Sequence, residues 1–164
     1  MRITSTTLWK NTIVIFCFQC IIQSCKIDIQ PSFLDYIQGG TEIKFAAAID
    51  FTDSNGDPYL PTSLHYNHPH QSSWYVKVIR AIGEIIQDYD TEKLFPVFGF
   101  GAMLPDGTVS HEFPCNFSPN NPCCQGIRGM LDAYDKCLRH VRLHKPTNLS
   151  PVINRIAKYV YNIS

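Results

Sequence analysis

Neither sign of charge predominates in this chain: 14 lysines and arginines stand against 14 aspartates and glutamates. A nucleic-acid binder needs a basic surface that releases counterions, so nucleic acid is not expected as a partner. Like charges do not gather into a run, which also argues against a polybasic membrane patch. No internal repeat or low-complexity stretch is present. The apolar stretch at residues 12–22, TIVIFCFQCII, is too short for a bilayer-spanning helix, which needs roughly 20 residues. It reads either as the apolar core of a signal peptide, with a poor cleavage site near Ser24, or as a β-strand rich in Ile, Val and Phe. An even, dense cysteine framework is missing too. The seven cysteines stand at 17, 20, 25, 115, 123, 124 and 137, without a repeating spacing. That argues for reduced thiols in the cytoplasm and against a secreted disulfide scaffold.

What is present suffices for one folded domain. Apolar residues make up 45% of the 164 and charged residues 17%, so a buried core can form and global disorder is not expected. CKIDIQ (25–30) alternates as a strand, and SFLDYIQ (32–38) is a connector between Pro31 and Gly39-Gly40. EIKFAAAID (42–50) is a short, mostly apolar run that suits a strand buried on both faces of a parallel sheet. The loop at 51–73 is rich in Gly, Pro, Asn and Asp. A helix follows, with Ser72 or Ser73 as N-cap and Trp74, Val78, Ile82, Ile85, Ile86 and Tyr89 on its apolar face. FPVFGFGAM (95–103) reads as a strand, with a turn at Pro105–Gly107 and TVSHEFPCNF (108–117) as its hairpin partner. SPNNPCC is a loop. Residues 125–142 form a second helix faced by Ile127, Met130, Leu131, Tyr134, Leu138 and Val141. A third helix carries Pro151 in its first turn and Ile153, Ile156, Ala157 and Val160 on one face. The order predicts an α/β fold.

The residues with most chemistry in them are Asp50, Thr52 and Ser54, at the carboxyl end of the first buried strand, the edge where open α/β sheets gather ligands. One carboxylate and two hydroxyls at alternate positions offer oxygen donors to a hard divalent cation. An Asp/Ser-rich turn held by its own backbone bonds is the plain alternative. His65, His68 and His70 lie in a Pro-rich loop without helical spacing and read as solvated. Cys123 and Cys124, with His111 or Cys115, would suggest a thiol nucleophile, but nothing in the sequence fixes their geometry, so none is expected.

Several blocks in this order, SFLDYIQGG (32–40), IDFTDSNGDP (49–58), SLHY (63–66), IIQDYDTEKLFPVFGFGA (85–102), VSHEF (109–113), GMLDAY (129–134) and PTNLSPVI (146–153), closely resemble the copines over roughly residues 25–160. The resemblance implies a partial von Willebrand A-like, Rossmann-type three-layer sandwich carrying its first strands and helices. It divides the chain into a divergent apolar segment at 1–24, the end of a C2 domain and a linker at 25–41, and the first part of the A domain at 42–164. Its metal-ion-dependent adhesion site starts with Asp-x-Ser-x-Ser, which falls here on Asp50, Thr52 and Ser54, and adds a later threonine that matches Thr147. The family's further aspartate lies in a segment beyond the residues present, which implies weak binding of a divalent cation, Mg²⁺ or Mn²⁺ in preference to Ca²⁺. The expected function is a non-enzymatic, metal-dependent protein-interaction module in a calcium-dependent phospholipid-binding family. The partners would be proteins at the metal face, with phospholipid membrane implied through the family's C2 domains alone. The expected location is cytoplasmic, with plasma-membrane association second and secretion disfavoured. The alternatives are a metal-dependent hydrolase or phosphotransferase, and a truncated fragment without independent activity.

Overall fold

The computed structural model of the chain describes residues 28–68 and 70–161. The stretch at 12–22, with its two readings, and residues 25–27 of the expected first strand lie outside them. Residues 28–30 form no strand. The chain divides into two compact units that meet at Gly39 and Gly40. In the first, the connector is a short helix, α1 (Phe33–Gln38), closed by a capping box in which Ser32 and Asp35 each bond the other's backbone N–H.

The second unit is built on strand β2 (Leu94–Phe100). Strand β1 (Ala47–Asp50) pairs with it in parallel, Asp50 opposite Phe100. The regular strand is shorter than the apolar run 42–50, because the chain at Ile43 bonds Tyr89 instead of continuing the ladder. β5 (Phe113–Pro114) and β6 (Cys123–Gln125) pair with β2 antiparallel, so the expected loop at Cys123 is a strand. β2 ends at Gly101. The next residues, β3 (Ala102–Met103), belong to a separate small sheet with β4 (Val109–Ser110) and β7 (Arg142–Leu143). The run 95–103 is thus two strands, and its expected hairpin partner splits likewise.

Strand alternation sorts the core into two layers. Phe95 and Val97 face one side of the sheet. There they pack with Ile79 of α2 (Trp74–Ile86) and with Met130, Ala133, Tyr134 and Cys137 of α3 (Gly126–His140). Phe98 and Phe100 face the other side and meet Val152 of α4 (Ser150–Tyr161). Helix, sheet and helix make the three-layer α/β arrangement. Two helix faces differ from the expected ones. On α2, Trp74, Val78, Ile82 and Ile85 are exposed, whereas Ile79 and Gly83 are buried. A Cβ on Gly83 would lie 2.8 Å from Ile127 Cγ1, so the missing side chain lets α2 and α3 approach. On α4, Val152 is buried while Ile153 and Val160 are exposed. The N-cap of α2 is Ser73, whose hydroxyl accepts from the Val76 N–H at 3.2 Å. Among the described residues, no helix is long and apolar enough to cross a membrane.

Candidate metal centre

β1 delivers Asp50 to the carboxyl edge of the sheet, and the chain turns at once into a single 3₁₀ turn, Asp53–Asn55. Phe51, fully buried, anchors the turn in the core. One carboxylate oxygen of Asp50 accepts the Thr52 N–H at 2.7 Å. The Thr52 and Ser54 hydroxyls lie 2.9 Å apart. The Thr147 hydroxyl donates to the Thr52 hydroxyl at 3.2 Å, although 95 positions separate the two in sequence. The structure therefore brings Asp50, Thr52, Ser54 and Thr147 to one place. Ser54 and Thr147 are exposed, Asp50 is half-buried and Thr52 is buried.

Two further contacts bind the later loop to the first. Thr52 and His144 form a parallel bridge, and the Asp53 N–H donates to the His144 carbonyl. Gly101 runs directly beneath. A Cβ there would lie 2.2 Å from Thr52 Cγ2, and the residue has a φ of +72°, which glycine adopts freely. Gly101 thus shapes the site without supplying a donor.

The SLHY segment supports the turn from below. Leu64 donates its N–H to the Asn55 carbonyl, and the Ser63 hydroxyl bonds the Gly56 carbonyl at 3.0 Å. His65 is not solvated as expected: its exposure is 0%. Its ring stacks on Tyr75, with centroids 4.3 Å apart and planes 9° apart, and on Phe51. Nε2 lies 2.9 Å from the Asp50 carbonyl oxygen and Nδ1 lies 2.9 Å from the Tyr134 hydroxyl. A carbonyl can only accept, so Nε2 carries the proton, and in the neutral ring Nδ1 accepts from Tyr134. Burial pushes the imidazole down to about 4, more than the Asp50 carbonyl and charge raise it. Burial likewise pushes the Tyr134 phenol up to about 12. Asn55 completes the support. Its amide donates to the carbonyls of Asp50 and Thr52, and it accepts from the Tyr75 hydroxyl at 2.9 Å. Of these supporting residues, neither His65 nor Gly101 was visible as such in the sequence. A buried histidine inside a Pro-rich loop has no periodic signature.

Both ring nitrogens of His65 are engaged, and among the described residues no group of three or more His, Cys, Asp or Glu is placed to hold a metal. The histidine-rich loop therefore makes no zinc-type cluster. Described cysteines 115, 123, 124 and 137 are all free thiols. Burial raises the Cys124 thiol to about 11, the reverse of an activated nucleophile. Beside the oxygen cluster a cleft of about 880 Å³ opens between the 53–59 loop and the end of α3. Its walls carry Asp53 and Asp57 on the loop, Asp135 paired with Arg139 at 2.7 Å on α3, and Arg142 of β7.

A sheet with helices on both faces and an Asp-x-Thr-x-Ser turn at its carboxyl edge defines a von Willebrand A-like α/β domain. The copine family profile matches residues 63–164, more than half of the chain, and the protein belongs to the copine family. The match begins downstream of Asp50, Thr52 and Ser54 and includes Thr147. Copines are not in general a family of classical enzymes.

Proposed function

We propose that this chain is a divalent-cation-dependent protein-interaction module whose cation is held by Asp50, Thr52, Ser54 and Thr147. The observation that carries the reading is the convergence of three hydroxyls and a carboxylate from two distant loops, with Ser54 and Thr147 open to solvent. The Thr52–Ser54 and Thr147–Thr52 oxygen separations are 2.9 and 3.2 Å. Adjacent ligands of an octahedral cation with 2.0–2.1 Å bonds are about 2.9 Å apart. The hydroxyl pairs therefore need little movement to serve as neighbouring ligands. Hard, oxygen-only donors favour Mg²⁺ or Mn²⁺, with Ca²⁺ less well matched.

Charge explains why a partner belongs in the scheme. Asp50 is the one anionic donor of the four, so a bound dication keeps a net positive charge. It would attract a carboxylate from a second protein, whose flanking residues could lie in the adjacent cleft. No bond is broken in such an interaction. The hydrolase alternative would need a second acid or base at the turn, and the sequence places Thr52 where that carboxylate would stand. Calcium-dependent binding to anionic phospholipid is proposed only for chains that carry the family's C2 domains. A cytoplasmic location, with association at the plasma membrane, is proposed on family grounds. Titration with Mn²⁺, followed by loss of the free-ion paramagnetic resonance signal, tests the reading. Binding by the wild type should be abolished in Asp50→Ala and weakened in Thr147→Ala. Equal binding by wild type and Asp50→Ala would refute it.

A further inference from the structure

We infer that His65 is a positioning residue for the metal loop, acting through the main chain of Asp50. The inference rests on the metal-binding reading above. Asp50 is the sole anionic donor of the set, so the direction of its carboxylate governs how well the four oxygens work together. That direction depends on the peptide that follows Asp50. The carbonyl of this peptide is held by two side-chain donors, His65 Nε2 at 2.9 Å and Asn55 Nδ2 at 3.3 Å. The next N–H but one, that of Thr52, then reaches the Asp50 carboxylate at 2.7 Å.

His65 itself has little freedom. Its ring lies between Phe51 and Tyr75, and its far nitrogen is fixed by the Tyr134 hydroxyl of α3. Tyr75 of α2 also aligns Asn55, the second donor to the same carbonyl. A closed chain of contacts, Asp50 to His65 to Tyr75 to Asn55 and back to Asp50, therefore ties the loop to α2, with Tyr134 tying it to α3. With both nitrogens bonded at 2.9 Å, the ring cannot turn or shift without leaving a buried polar atom unpaired. Groups one step behind a metal ligand typically change affinity about 10–100-fold when removed.

Two isosteric halves of the imidazole separate positioning from packing. In His65→Gln the amide nitrogen reaches roughly where Nε2 stands and keeps a donor for the Asp50 carbonyl. In His65→Asn the side chain reaches only the Nδ1 position and loses it. Both lose the stacked ring, so both should lower the thermal midpoint of the full chain alike. Mn²⁺ affinity should split them. His65→Asn should bind about tenfold more weakly than wild type, and His65→Gln should stay within about threefold of it. Tyr134→Phe, which keeps the ring volume and fold, should weaken Mn²⁺ binding by about threefold through loss of the His65 anchor. Equal affinity in the Asn and Gln variants, with Tyr134→Phe like wild type, would overturn the positioning role while leaving the metal site intact. A wild type that binds Mn²⁺ no better than Asp50→Ala would overturn the metal site, and the positioning role with it.

Discussion

Gly101 illustrates how a residue with no functional group can decide a site. It follows β2, takes a φ of +72°, and leaves room for Thr52 Cγ2 where a Cβ would stand at 2.2 Å. Alanine there meets both a strained backbone and a rigid β-branched neighbour. We expect Gly101→Ala to destabilise the domain by about 3 kcal/mol in urea titration and to displace Thr52. A loss under about 1 kcal/mol would show that the turn adapts. His65 gives a second prediction at this scale. The folded ring titrates near 4 and the ordinary value is 6.5. Between those values the unfolded chain takes up a proton that the folded chain refuses. Stability from this residue is complete above pH 6.5 and is lost as pH falls toward 4, by about 3 kcal/mol in all. Urea midpoints in the presence of chelator should thus fall more steeply over that window for wild type than for His65→Gln. Parallel pH profiles would rule out a buried neutral imidazole.

Among the elements, the pattern showed that α2, α3 and α4 exist and which way α3 faces; it showed neither the short α1 nor the orientation of α2 and α4. The stretch WYVKVIRAIGEII is apolar on more than one side, so periodicity permits two faces. The face with the larger side chains, Trp74, Val78, Ile82 and Ile85, is the exposed one. Packing chose the side with Gly83 because two helices cross most closely where a side chain is missing, and a glycine adds nothing to an apolar count. The same substitution chemistry on the two faces tests this. Ile79→Ala, in the core, should destabilise by about 2–4 kcal/mol. Ile85→Ala, at 63% exposure, should change stability by no more than about 0.5 kcal/mol. Comparable losses at both positions would mean that the stripe is covered. The strands were legible in a different way. The apolar runs 42–50 and 95–103 marked where β1 and β2 lie, but not where the ladders stop. Those ends are set by tertiary bonds, Ile43 to Tyr89 and the bend at Gly101, which leave no local mark.

At the scale of the whole molecule, three of the proposed ligands share one turn and could be grouped from sequence alone. The fourth could not, since nothing local links Thr147 to a turn 95 positions earlier. The resemblance to copines assigned it, and the fold accounts for its position. β7 lies beside β3, His144 bridges Thr52, and the chain then carries Thr147 over the carboxyl edge. Because the loops come from opposite ends of the unit's sequence, a cation that joins them should stabilise the native state as a whole. An ion that binds only the folded form at 100 times its dissociation constant contributes about 2.7 kcal/mol. For a unit of this size that corresponds to a rise of roughly 10 °C in thermal midpoint. Calorimetry with and without saturating Mn²⁺ should show that rise in the wild type, little or none in Asp50→Ala, and an intermediate value in Thr147→Ala. A rise of equal size in Thr147→Ala would mean that the ion is held by the first turn alone. The convergence of the two loops would then be a feature of packing and not of binding.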